Sequence, residues 1–322
     1  MKPLNQCKIL VTPTSFGSQD ETLKTELESQ VKEVVYNNTG KPIPSIKLQE
    51  MLLDVDGMIA GLDEIDSAAL SVASHLKVVA RYGVGYNNVD LDAARENKII
   101  VTNTPGANAK SVAELTIAMI LNLCRPVIQA NNQTKAGEWP RFKGLSLEGK
   151  TVGLLGLGAI GKETARRLAG FDCKILAYDI YQDKVFAQTN NITFLPLDEI
   201  LEKADIISLH LPGIPETRGM VNSEFLSKMK DGAFLINTAR GDLINEKALF
   251  DVLESGKLRG AALDAYQQEP PSKDNPLLKM PQVIATPHMG AHADSATNAM
   301  GRLALDECLA VLEGRNPKYK VN

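Results

Sequence analysis

Val152-Gly153-Leu154-Leu155 runs directly into Gly156-Leu157-Gly158-Ala159-Ile160-Gly161, and this stretch decides how the whole chain is read. The apolar residues read as a short buried strand, and the glycines that follow match G-x-G-x-x-G ahead of a helical stretch through Arg167 and Leu168. Glycine is common, so the match alone is weak; strand, turn and helix in that order give it weight. The first glycine permits a tight bend, and the second lets a pyrophosphate approach the backbone. The third lets helix pack on strand, while the helix N-terminus, with Ala159 and Ile160, faces the phosphates. Eighteen residues after Gly161, Asp179 closes the next apolar run, Ile175-Leu176-Ala177-Tyr178. A carboxylate there accepts hydrogen bonds from ribose hydroxyls and repels a 2′-phosphate, so NAD is expected rather than NADP. Lys162, Arg166 and Arg167 are assigned to a solvated helix face.

Outward from this turn, the pattern of short apolar runs and amphipathic segments continues in both directions. Downstream, strands are predicted at Lys174–Tyr178, Asp205–Leu209, Ala233–Asn237, Ala261–Leu263 and Val283–Ala285. Upstream, a separate series is predicted at Lys8–Val11, Glu33–Tyr36, Gly57–Ala60, Val78–Arg81 and Ile99–Thr102. Leu23, Leu27 and Val31, spaced four apart, mark one buried helix face between the first two of these. The pattern breaks at Asn103-Thr104-Pro105-Gly106, and Ser111–Cys124 is apolar enough to predict a helix buried between domains. A long helix is predicted over Asp294–Glu313, packing back on the first domain. Two successive α/β series imply two doubly wound parallel-sheet domains, Rossmann- or flavodoxin-like, rather than one large sheet.

The bulk properties agree with this and exclude several classes. A chain of 322 residues has room for about two domains. The net charge of −4 lacks the basic excess of a nucleic-acid binder. Cys7, Cys124, Cys173 and Cys308 show no C-x-x-C spacing, so neither a zinc site nor a disulfide framework is expected, and reduced thiols in the cytoplasm fit best. No apolar signal core and no membrane-length apolar stretch is present, so export and membrane insertion are not expected.

Open α/β sheets bind ligands beyond the carboxyl ends of their strands, and three polar residues stand just after predicted strands. Arg240 lies in Asn237-Thr238-Ala239-Arg240-Gly241-Asp242, Glu269 follows Ala261-Ala262-Leu263-Asp264, and His288 follows Val283-Ile284-Ala285-Thr286-Pro287. Each alone reads as a surface ion pair, a loop carboxylate or a satisfied imidazole; together, on the edge that would hold nicotinamide, they suit hydride transfer to a 2-keto acid. The alkoxide formed as hydride arrives needs a proton, which His288 can supply. Glu269 would stabilise the imidazolium and fix its tautomer, and Arg240 would fork onto a carboxylate and polarise the carbonyl. No metal is required.

With these residues in place, the chain from about Val78 to Leu312 resembles the D-isomer-specific 2-hydroxyacid dehydrogenase family, its phosphoglycerate-dehydrogenase-like members most closely. The motifs carrying the resemblance are Arg81-Tyr82-Gly83-Val84-Gly85-Tyr86-Asn87-Asn88-Val89-Asp90, Ser111-Val112-Ala113-Glu114, the glycine turn, Asn237–Gly241 and Thr286-Pro287-His288-Met289-Gly290. The resemblance implies a discontinuous substrate domain, residues 1–103 and 293–322, that closes on an inserted NAD domain, residues 104–292, in a homodimer. It implies catalytic roles for Arg240, Glu269 and His288 and carboxylate binding by the Val84 and Gly85 backbone. It also implies an NAD lining from Pro212, Thr217, Thr238, Ala239, Arg240, Asp264, His288 and Gly290.

Departures from the family bear on the substrate. Asn87 stands where aspartate is frequent, and Ala159 where arginine is. Met58-Ile59-Ala60-Gly61-Leu62 offers no charge where phosphoglycerate enzymes place an Arg-Ser pair. Strict phosphoglycerate specificity is therefore not expected, and glyoxylate or hydroxypyruvate reduction is the alternative. Arg141 or Lys143, in Trp139-Pro140-Arg141-Phe142-Lys143, could meet an anionic tail across a dimer. A reading of another class, an NAD-sensing corepressor that binds peptides, resembles the chain less. Formate and phosphite dehydrogenase relatives differ at Glu269 and near Val84. The end of the chain soon after its final helix leads to the expectation of no appended regulatory domain and no serine feedback.

Overall fold

Strands rich in valine, isoleucine and leucine alternate with helices throughout the computed structural model, which describes residues 2–322. The first run is β1 (Lys8–Val11), α1 (Thr22–Gln30), β2 (Glu33–Tyr36), α2 (Ser45–Met51), β3 (Gly57–Ala60), α3 (Ser67–Val72), β4 (Val78–Arg81), α4 (Leu91–Glu96) and β5 (Ile100–Thr102). Two helices follow, α5 (Ala109–Cys124) and α6 (Val127–Lys135), then β6 (Thr151–Leu155), α7 (Ala159–Leu168), β7 (Lys174–Tyr178), α8 (Lys184–Thr189) and β8 (Ile192–Phe194). The run continues through α9 (Leu197–Lys203), β9 (Ile206–Leu209), α10 (Ser223–Lys228), β10 (Ala233–Asn237), α11 (Glu246–Glu254), β11 (Leu258–Leu263) and β12 (Val283–Ala285) to α12 (Asp294–Leu312).

These elements form two compact units, one made of residues up to Asn108 together with Ala291–Asn322, the other of Ala109–Gly290. The first unit has a five-stranded parallel sheet in the order β2-β1-β3-β4-β5. Its inner strands β3 and β4 are buried along their whole length, as strands covered on both faces must be, whereas the edge strand β2 has no fully buried residue. One face packs on α1 and α12 through Leu23, Leu27, Met300, Leu305 and Leu309. The other face carries Leu48, Leu70, Ala93 and Ala94 of α2, α3 and α4. The final residues return to this sheet, Val321 N–H donating to Val101 O at 2.9 Å. No single helix among the described residues is long and apolar enough to cross a membrane.

The second unit has a seven-stranded parallel sheet in the order β12-β11-β10-β9-β6-β7-β8. The order reverses between β6 and β9, the kind of switch point where doubly wound sheets take their ligands. Helix α5 packs on α7 and against β10 and β11, with Val112, Ala113, Thr116, Met119, Ile120 and Cys124 buried. That explains a segment too apolar for a surface helix.

The structure differs from the predicted elements in detail. β11 begins three residues before Ala261, at Leu258, because Leu258 and Gly260 also pair with β10, across a register shift at Arg259. The edge strand β8 is not predicted; Thr193 interrupts its apolar run and is exposed.

Candidate active site

The glycine turn joins β6 to α7, and its three glycines are needed for different reasons. Gly156 has φ +98°, and a Cβ there would lie 2.6 Å from His210 O. A Cβ on Gly161 would lie 2.1 Å from Gly156 O. Gly158 is different: its Cβ would meet no protein atom within 4 Å. Nothing in the fold demands glycine there, which is what a backbone kept bare for a ligand looks like. The first turn of α7 carries no acidic side chain, and the first intrahelical donor is Lys162 N–H, to Gly158 O at 2.9 Å. The N–H groups of Gly158, Ala159 and Ile160 are thus left for an anion. Asp179 follows β7 and binds the turn, Oδ2 accepting from Leu157 N–H at 2.6 Å and Oδ1 from Tyr181 N–H at 2.9 Å. An open phosphate cradle with a carboxylate at the end of the next strand fits NAD.

The candidate catalytic residues come from the ends of three adjacent strands. Arg240 follows β10 in a loop tied down by Asn237, whose Nδ2 donates to Arg240 O at 2.8 Å and whose Oδ1 accepts from Ala239 N–H at 3.0 Å. Glu269 follows β11, and Oε1 accepts from Tyr266 N–H at 3.0 Å. His288 follows β12, and Nδ1 lies 2.6 Å from Glu269 Oε2. That bond leaves Nε2 as the face available to a substrate. Both side chains of the pair are about one-third exposed, 31% and 32%, so the pair is reachable.

Electrostatics couple all three. Burial pushes the Glu269 carboxyl up, but the hydrogen bond and charge of His288, the Tyr266 N–H and the Arg240 charge together hold it below the usual value. Burial pushes Arg240 down, opposed by Glu269 and Asp242. A guanidinium starting so high stays charged regardless. The site therefore offers a carboxylate, an imidazole and a permanent cation.

The segment carrying His288 is held by Asp264, which is 1% exposed. Its Oδ1 accepts from Thr286 Oγ1 at 2.6 Å and Met289 N–H at 2.8 Å, and Oδ2 from Gly290 N–H at 2.8 Å. His288 itself sits at φ +50°, an uncommon conformation for a non-glycine residue and one held by these flanking bonds. Ser111 of α5 donates to Gly290 O at 2.6 Å. Both oxygens of Asp264 are thus committed to placing the histidine. Thr238 Oγ1 pairs with Thr116 Oγ1 at 2.8 Å, and Thr217 closes its own loop by donating to Pro212 O at 2.6 Å.

In the first unit, the loop Gly83-Val84-Gly85 follows β4. Gly83 O accepts from Thr104 N–H at 3.1 Å, Val84 O from Asn103 Nδ2 at 2.7 Å, and Gly85 O from Arg81 Nε at 3.2 Å. Arg81 Nη1 also donates to Ala60 O and Gly61 O. With three successive carbonyls held inward, the N–H groups of Val84 and Gly85 have no partner among the described residues. A carboxylate is the natural acceptor for such a pair of amides.

Residues that the sequence reading passed over also build the site. Gly241 is one: a Cβ there would lie 1.9 Å from the carbonyl carbon and oxygen of Tyr266. The loops bearing Arg240 and Glu269 are therefore in backbone contact. His210, after β9, is another. Its Nε2 lies 3.1 Å from Ser208 Oγ, its Nδ1 is buried without a partner, and burial pushes its pKa down to about 4, so it is a neutral imidazole beside the glycine turn. Neither shows a local sequence signal, since both depend on contacts distant along the chain. Arg141 and Lys143 are exposed, in the stretch between α6 and β6.

Fold and site together define a dinucleotide-binding α/β protein with a histidine–carboxylate pair and an arginine at the edge of its second sheet. Residues 117–290 match the family model described as D-isomer specific 2-hydroxyacid dehydrogenase, NAD binding domain. The chain belongs to that family, and its second unit carries the family's NAD-binding domain. It is 39% identical over 297 residues to a glyoxylate reductase of Thermofilum pendens, covering 90% of this chain and 88% of that one. It is 41% identical over 280 residues to a D-3-phosphoglycerate dehydrogenase of Methanocaldococcus jannaschii, covering 86% of this chain and 53% of that one. The chain thus spans only a little over half the length of that relative. Among solved structures, the Thermus thermophilus protein TT0316 is similar with a TM-score of 0.88 and 36% identity, over 98% of this chain and all of that one.

Proposed function

We propose that the chain is an NAD-dependent D-2-hydroxyacid dehydrogenase acting on a small 2-hydroxy or 2-keto acid. The observation that carries this reading is the His288–Glu269 pair at 2.6 Å, electrostatically coupled to Arg240 at the end of the neighbouring strand. NADH, when bound, supplies the hydride. Arg240 orients the substrate by its carboxylate and withdraws charge from the reacting carbonyl. In the first unit, the free N–H groups of Val84 and Gly85 are suited to a carboxylate. As negative charge builds on the carbonyl oxygen, His288 gives up its Nε2 proton, and Glu269 offsets the positive charge that the protonated ring carries beforehand. In the reverse direction the neutral His288 takes the hydroxyl proton.

Substrate size follows from the first unit. Ala60 and Gly61 bring no cation, and their carbonyls already receive the Arg81 guanidinium. This favours an uncharged tail, as in glyoxylate or hydroxypyruvate, over a phosphorylated one. Exposed apolar residues on the second unit, Val127, Ile128, Trp139 and Phe142, support a homodimer, because such surface normally marks an interface. Four free cysteines fit a reducing cytoplasm. The test is NADH oxidation over glyoxylate, pyruvate, hydroxypyruvate and phosphohydroxypyruvate, repeated with NADPH. Turnover of the unphosphorylated acids with NADH is expected, and inactivity on every 2-keto acid would overturn the assignment.

A further inference from the structure

A pocket of about 660 Å³ opens in the first unit at the carboxyl ends of β1 and β2, away from the loop 83–85. Phe16, Val34 and Tyr36 give it an apolar and aromatic wall, and Lys24, Thr14 and Asn38 are its polar side chains. Lys24 Nζ is held 5.6 Å above the centre of the Tyr36 ring. Among the described residues no carboxylate lies within 4.0 Å of that ammonium. The side chains of Thr14 and Asn38 likewise make no hydrogen bond among the described residues. Two acids flanking this segment are engaged elsewhere: Asp20 accepts from Thr22, and Glu28 accepts from Tyr36 Oη at 2.9 Å. The pocket is therefore rich in unused donors, and its only charged lining group is positive.

Its place in the fold indicates what it can take. β1, α1 and β2 form a βαβ unit in which the first and last strands are parallel neighbours, as β6 and β7 are around α7 in the second unit. The pocket stands at the carboxyl ends of this pair, where β6 and β7 cradle the adenosine end of the dinucleotide. One difference is chemical. After β7 stands Asp179, which repels phosphate near the ribose; after β2 stand Asn37 and Asn38, which do not.

We propose that this pocket is a second ligand site, taking a small phosphate-bearing molecule with a planar body, of mononucleotide size. Tyr36 flanks the planar part, with Phe16 buried behind it, and Lys24, Thr14 and Asn38 hold the anion.

The test uses the full chain with NADH saturating the glycine-turn site, and AMP as probe in equilibrium dialysis. One additional AMP should bind per chain. Lys24→Ala should weaken it about tenfold or more, the scale of one charge-assisted hydrogen bond. N38D, which puts a carboxylate among the donors that hold the anion, should weaken it by at least as much. Adenosine, which lacks the phosphate, should compete at least tenfold less well than AMP. Melting temperature and NADH affinity should be unchanged in both variants, showing that the fold is intact. Absence of extra AMP at millimolar concentration, equal AMP binding by wild type and both variants, or adenosine competing as well as AMP would each overturn the proposal.

Discussion

Replacing Gly241 by alanine adds one methyl group where the backbone of Tyr266 already stands. The new carbon would lie 1.9 Å from the Tyr266 carbonyl, and an ordinary contact begins near 3.4 Å, so the two loops must separate by about 1.5 Å. Neither can yield cheaply. Asn237 fixes the Arg240 carbonyl from one side, and Tyr266 is pinned through its hydroxyl to Leu263 O at 3.1 Å and Thr286 O at 2.9 Å. Whichever loop moves, Arg240 or the Tyr266 N–H that orients Glu269 moves with it. A misplacement of ~1 Å at a reacting group costs on the order of a hundredfold in rate, and overpacking of a close contact costs about 1–3 kcal/mol. The expected G241A enzyme has kcat for 2-keto acid reduction, followed by loss of NADH absorbance, reduced at least ~100-fold. Its melting temperature falls by several degrees. NADH affinity at the glycine turn stays within about tenfold, since that turn lies on other strands. A variant with kcat within threefold of wild type and an unshifted melting temperature would refute the argument that the two catalytic loops are locked backbone to backbone.

G158A is the converse: with no protein atom near its Cβ, it should leave the melting temperature unchanged and weaken NADH binding about tenfold or more, measured by fluorescence titration. H288A should lose on the order of 10²–10⁴ in kcat while NADH binding persists. E269Q removes one charge-assisted bond of about 1.5–3 kcal/mol and should lower kcat roughly 10- to 150-fold. Because the folded Glu269 carboxyl lies below its ordinary value, its contribution is present above that value and is lost only as pH falls through the lowered one. Wild-type kcat should therefore show no carboxylate-dependent fall between pH 7 and pH 5, and a fall centred in that window would contradict the pairing. D179N keeps an acceptor for Leu157 but removes the charge, so the preference for NADH over NADPH in kcat/KM should drop at least tenfold.

The strands were readable because inner strands of a covered parallel sheet are continuous apolar runs, and β3, β4, β7 and β10 match the predicted ranges. The edge strand β8 and the early start of β11 were not, because edges have a weak pattern and Gly260 pairs where it reads as a breaker. At the site, residue type and position after a strand were enough to single out Arg240, Glu269 and His288. They were not enough to show what holds those residues. The resemblance implies a place for Asp264 in the NAD lining, and only the fold shows both its oxygens gathering the chain around His288. Gly241 and His210 carry no local signal, since the partners that constrain them are 25 and 54 residues away in sequence, at Tyr266 and Gly156.

Because α12 belongs to the first unit, the apolar sheet face that Met300, Leu305 and Leu309 cover is complete only after Asp294–Leu312 has been made. During translation the second unit, Ala109–Gly290, emerges as one continuous piece and can fold as it appears. The first unit is begun before the second and completed only after it. At ~5–20 residues per second, its β3 and β4 face has α1 but lacks α12 for roughly 10–40 seconds, an interval in which a nascent-chain chaperone would find it.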